Sequence, residues 1–182
     1  LGDEGWATSH DLVTEVVASG LDVVERAGLH ASLGRALRAE DDPLLLAHHL
    51  REAGDARGAA DAFALAAQRA HDGYADEEAV HLPPPARGLS PTAQVSATLH
   101  EIRGQARRRL GDLPGAREDL HAALTVHTSG PPRGRILAQL AMLASGADDI
   151  VRAAQLAEHA VVEAGDDEPI RARALEVASI LD

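Results

Sequence analysis

The sequence contains no cysteine, no lysine and no asparagine, and only one each of tryptophan, tyrosine, phenylalanine and methionine among 182 residues. Without cysteine there is no disulfide framework, thiol nucleophile or zinc ribbon. Without lysine there is no G-x-x-x-x-G-K-[ST] phosphate loop, whose ammonium group has no substitute. The chain is therefore not expected to hydrolyse ATP, and no cofactor is expected. With aromatics at 2%, the core must be built from Leu, Val, Ile and Ala, packed as thin seams rather than one centre. Long apolar runs are also missing, since none approaches the roughly 18 residues of a membrane span. Positive charge is scarce: 17 basic residues against 29 acidic ones give a net charge of −12. That balance argues against nucleic acid and against an anionic membrane surface as partners. Asp3 and Glu4 stand where a secretory signal carries positive charge, so a cytoplasmic location is expected. The chain opens on Leu1 and is read as a fragment of something longer.

What is present is periodic. Gly34, Ala67, Gly104, Ala141 and Ala178 are spaced by 33, 37, 37 and 37 residues. Leu46, Ala79, Ala116 and Ala153 form a parallel series with spacings of 33, 37 and 37. A period in the mid-thirties marks a helix-turn-helix repeat, and a small residue lets two antiparallel helices approach closely. Roughly one residue in five is alanine, the best helix former. The expected fold is all-α, a tetratricopeptide-like right-handed superhelix of about ten helices. Helical periodicity and Gly, Pro and Asp punctuation predict helices near 9–20, 23–39, 43–53, 56–72, 75–82, 91–110, 113–128, 132–146, 149–164 and 168–182. They group into an N-terminal helix over 1–22 and repeats near 27–59, 60–96, 97–133, 134–170 and a partial one at 171–182. Asp55 and Asp112 fall at N-cap positions. Pro83-Pro84-Pro85 cannot continue a helix, so 83–90 is expected to be an extended loop. The third repeat departs from the apolar pattern with Arg103-Gly104-Arg107; either the arginines snorkel or that helix is rotated.

Several constellations invite a chemical reading. His48-His49 is the most tempting pair. Adjacent helical residues point about 100° apart, so the pair reads as a helix face and no metal site is assigned. His10-Asp11 has no nucleophile signposted near it, and Asp11 suits a helix start; no catalytic residue is assigned. Glu40-Asp41-Asp42, Asp76-Glu77-Glu78 and Asp166-Asp167-Glu168 read as caps and solvated surface. Arg107-Arg108-Arg109 precedes Gly111 and reads as a helix C-terminus favoured by the dipole.

The run HDLVTEVVASGL at 10–21, followed by LHASLGRAL at 29–37 and DPLLLAHHLREAGD at 42–55, resembles the end of the winged-helix region and the first repeats of large LuxR-type, maltose-regulator-like transcription factors of the STAND ATPase class. That resemblance implies the sensing or interaction arm of a regulator, next to an ATPase domain of the same chain. The groove of such arrays is lined by first helices. Register from the small residues places Arg35, Arg38, Gln68, His71, Thr98, Glu101, Gln105, Arg108, Arg135 and Met142 there. Of these, Arg35, Arg38, Gln68, His71, Gln105, Arg108, Arg135 and Met142 are taken as the binding set. Guanidinium groups suit carboxylate or phosphate, so the expected ligand is a protein partner with an acidic segment or a small anionic effector. The alternative is a free-standing scaffold joining two proteins.

Overall fold

The computed structural model describes residues 20–37, 41–81 and 92–180. All regular structure over these ranges is helical: α1 Val23–Ala36, α2 Pro43–Glu52, α3 Ala56–Asp72, α4 Asp76–His81, α5 Ala93–Arg109, α6 Leu113–Leu124, α7 Pro131–Gly146, α8 Ile150–Ala164 and α9 Glu168–Ile180. The expected helix at 9–20, the His10-Asp11 pair and the Pro83–Pro85 loop lie outside the described residues, as does Arg38.

Local chemistry starts and stops these helices. The side chains of Asp55 and Asp112 accept the backbone N–H groups of Gly58 and Gly115, each at 2.9 Å, as N-caps. Asp22 and Glu25 form a reciprocal capping box on α1. Asp42, Asp149 and Asp167 satisfy the first turns of α2, α8 and α9 in the same way. Two ends differ from the periodicity. Helix α6 stops at Leu124 rather than 128: the Thr125 hydroxyl donates to the Ala122 carbonyl at 2.7 Å. The chain must then turn through Gly130, at φ +84°, to reach the proline that opens α7. Helix α1 ends at Ala36, where Leu37 becomes extended.

Each helix packs mainly on its neighbours in sequence, with further contacts between α3 and α5 and between α7 and α9. The core is correspondingly divided into seams. One joins Leu46 and Ala47 of α2 to Ala62 and Phe63 of α3. Another gathers Ala97, Leu120, Ile136, Leu140 and Leu143 from α5, α6 and α7. Two more join α7 to α8 and α9. The small-residue positions are buried at Ala67, Ala116, Ala141 and Ala153, and Ala116 and Ala141 belong to these seams. A β-carbon added to Gly104 would stand 3.0 Å from Leu120 Cγ and 3.2 Å from the Ala116 carbonyl oxygen. The closest approach to the backbone of another helix falls at Gly134, outside the small-residue series. There an added β-carbon would lie 2.9 Å from the Ala164 nitrogen and 3.0 Å from the Ala160 oxygen, both backbone atoms of α8.

This contrast generates a test. Alanine gains up to about 1 kcal/mol of helix propensity over glycine. At Gly28, exposed within α1 with nothing near its missing β-carbon, Gly28→Ala is expected to stabilise the fold by about 0.5–1 kcal/mol. At Gly134 the backbone cannot yield, and overpacking costs typically about 1–3 kcal/mol, so Gly134→Ala is expected to destabilise. Urea midpoints of the two variants should move in opposite directions.

Candidate functional site: a cationic cavity

Four of the eight residues taken as the binding set converge on one small cavity of about 200 Å³. His71 from α3, Gln105 and Arg108 from α5 and Met142 from α7 line it. Arg109, Gln139 and Arg173 complete the wall. All seven belong to α3, α5, α7 and α9, the first helices of successive pairs. Only Met142 is apolar.

The cations divide by what they already hold. Arg109 is committed: its Nη1 donates to the His71 carbonyl at 2.9 Å and to Asp76 Oδ1 at 3.1 Å, and its Nη2 meets His71 Nε2 at 2.8 Å. Its guanidinium also lies 4.8 Å from the centre of the Tyr74 ring. Tyr74 occupies a left-handed turn position, φ +60°, equivalent to Gly111 in the next pair. Asp76 Oδ1 accepts at His71 Nδ1, 3.2 Å away. With a carboxylate at Nδ1 and a guanidinium at Nε2, His71 fits the tautomer protonated at Nδ1. Arg108 and Arg173, by contrast, have no hydrogen-bond or ion-pair partner among the described residues.

Gln139 adds a further demand. It is buried, its Nε2 donates to Glu101 Oε1 at 2.9 Å, and its Oε1 accepts from nothing. The carboxylate can only accept when ionised, so the amide orientation is fixed. A buried acceptor without a donor costs about 1–3 kcal/mol. Among the described residues the site therefore offers two unpaired guanidiniums, with the unmet Gln139 oxygen buried in its wall.

The other residues of the predicted set are elsewhere. Arg135 is held by Glu101 in a bidentate pair, Nε to Oε1 at 2.7 Å and Nη2 to Oε2 at 2.9 Å. That hydrogen bond raises the Arg135 pKa further above its ordinary value. Arg135 instead borders a neighbouring cavity of about 440 Å³, which it shares with Arg173 and Glu176. Gln68 donates to Asp72 on its own helix at 2.8 Å, and Arg35 donates to Ser32 at 3.0 Å. Neither lines the cavity. Glu101, which register aimed at the groove, is buried and serves as the acceptor that organises Arg135 and Gln139.

Two sequence readings need correction. Asp76, read as part of a solvated acidic cluster, is buried against His71 and Arg109. The arginines flanking Gly104 do not snorkel. Arg103 and Arg107 both reach Asp119 of α6, which is only 3% exposed. Arg103 Nε donates to Oδ2 at 2.8 Å, Arg107 Nη1 donates to the same oxygen at 2.8 Å, and His100 Nδ1 lies 2.9 Å from Oδ1. The basic triplet thus splits three ways: Arg107 to Asp119, Arg109 to Asp76, and Arg108 to the cavity. His48 and His49 lie on α2 with their rings 5.4 Å apart, and His30 of α1 stands beside both. Burial, and secondarily the charge of His30, lowers the His49 pKa below its ordinary value.

No family model, curated protein or solved structure matches the chain.

Burial raises the Asp119 pKa, but hydrogen bonds from Arg103 and His100 and the charges of Arg103 and Arg107 outweigh it, so the carboxyl stays below its ordinary value. A depressed folded value stabilises the protein above the unfolded value, near 3.9, and that contribution is lost as pH falls through the folded value. Asp119→Asn removes the counter-charge of two partly buried guanidiniums and is expected to cost about 2–4 kcal/mol at pH 7. The difference in unfolding free energy between wild type and variant should shrink as pH drops below about 3.9.

Proposed function

We propose that this chain is a ligand-binding helical-repeat module, non-catalytic in itself, that takes a small anion in the cavity between α3, α5, α7 and α9. One observation carries the reading: Arg108 and Arg173 line the same cavity without a hydrogen-bond or ion-pair partner among the described residues, whereas Arg109 beside them is ion-paired. Two such guanidiniums attract a carboxylate or phosphate, which they bind through charge-assisted hydrogen bonds. Drug-sized ligands occupy roughly 300–1,000 Å³. A cavity of about 200 Å³ suits a small acid, or a single acidic group, better than the broad face of a folded partner.

The helix pairs are read as a right-handed, tetratricopeptide-like array. Support comes from small residues buried at repeated positions and from a site assembled from successive first helices. Joined to the resemblance of the 10–55 segment, this makes the module the sensing arm of a LuxR-type ATPase regulator. Anion binding across four helices would favour one arrangement of the array and so bias the state of a neighbouring domain. A phosphate loop encoded upstream in the same reading frame supports the regulator; its absence supports the free-standing scaffold.

The binding claim is tested with a panel of inorganic phosphate, sulfate and small hydroxy- and amino-carboxylates, read by thermal shift and calorimetry. At least one member should raise the melting temperature. Charge-assisted hydrogen bonds are worth about 1.5–3 kcal/mol, so Arg108→Ala and Arg173→Ala should each weaken binding by about 10- to 100-fold. Arg35→Ala, outside the cavity, should leave it unchanged. Equal affinity in the Arg108→Ala/Arg173→Ala double variant would sink the proposal.

A further inference from the structure

A second group of chemistry-bearing side chains lies at the other end of the described chain, on helices the anion cavity does not use. His30 projects from α1, and His48 and His49 project from the C-terminal half of the facing α2. One nitrogen from each of the three rings lies within 4.8 Å of the others. The Nδ1 atoms of His30 and His49 approach to 2.8 Å. Adjacent positions on one helix do diverge, but the ring from the opposite helix fills the angle between them. Three imidazoles with no thiolate or carboxylate in the group form a donor set of borderline softness, which suits late first-row divalent ions such as Zn²⁺ and excludes Mg²⁺ and Ca²⁺.

The geometry is close to what such an ion requires. Zinc–imidazole bonds of about 2.0–2.1 Å place tetrahedral donors about 3.3–3.4 Å apart. The His30–His49 pair must open by about 0.5 Å, and the other pairs must close by up to roughly 1.5 Å. His48 is exposed and can supply most of that closure by side-chain rotation. Arg51 donates to His48 Nδ1 at 3.2 Å. The same guanidinium already reaches Glu52 at 3.1 Å, so it can release the histidine and keep a partner. Solvent reaches the cluster at His48, which leaves a fourth coordination position for water.

The location gives such an ion a task. Gly34 is the only buried residue of α1, while Val23, Val24, Leu29 and Leu33 are exposed. The helix therefore holds to α2 by little apolar surface, and a bond from each side through one ion would clamp the two together.

We propose that His30, His48 and His49 form a three-imidazole site for Zn²⁺ or a similar late divalent transition-metal ion, which staples α1 to α2. This inference is independent of the anion cavity. The test is calorimetric titration of the full chain, free of any polyhistidine tag, with ZnCl₂ and with MgCl₂ as control. One zinc ion per chain is expected, with no binding of magnesium. His48→Gln, at an exposed position that leaves packing untouched, and His30→Gln should each weaken zinc binding by about tenfold or more. His159→Gln, on α8, should leave it unchanged. Zinc should also slow amide hydrogen exchange over 23–36 in the wild type and not in His48→Gln. Affinities in His30→Gln and His48→Gln within about threefold of wild type, or exchange in α1 indifferent to zinc, would overturn the site.

Discussion

Three buried carboxylates, each satisfied by arginine, tie the middle of this protein together, and every tie includes helix α5. Asp76 of α4 binds Arg109, Glu101 binds Arg135 and Gln139 of α7, and Asp119 of α6 binds His100, Arg103 and Arg107. A core made largely of alanine excludes water without discriminating between registers, because one methyl group packs much like another. Buried charge does discriminate. A carboxylate displaced by one turn loses its partner and keeps its desolvation penalty. The fold thus divides its labour: small residues set how close the helices come, and the ion pairs set which turn faces which.

That division decides what the cavity can be. The pairing of Glu101 with Arg135 removes one cation from the groove but orients Gln139, whose amide oxygen is left buried without a donor. The pairing of Asp76 with Arg109 fixes the wall on which His71 sits. Arg108 is half-buried on α5, while Arg173 reaches the cavity from an exposed position on α9. The protein is acidic overall, so a local cationic enclosure is also a distinct electrostatic feature for an approaching anion.

Helix positions were legible in the sequence because Gly-Asp and Asp-Pro punctuation has local causes: Asp55 and Asp112 cap the turns they precede whatever else surrounds them. His71, Gln105, Arg108 and Met142 were grouped by spacing alone, and they line one cavity. The rest depends on contacts distant in sequence. Nothing local marks Arg135 as consumed by a glutamate 34 positions earlier, nor Asp76 as the partner of Arg109 across 33 residues. Arg173 escaped because it sits one place off the groove register, and Gln139 because its orphan oxygen exists only once Glu101 has taken its amide. His30 lies 19 residues from His49, and only the crossing of α1 over α2 brings them together.

Because neighbours in sequence carry most of the packing, resistance to opening is unequal along the molecule. At the described N-terminal end, α1 can peel from α2 by uncovering one glycine-lined strip, whereas α5 cannot leave without breaking all three carboxylate ties. Mechanical or thermal stress would then propagate as an ordered unzipping from that end inward, halting where the charged lattice around α5 begins.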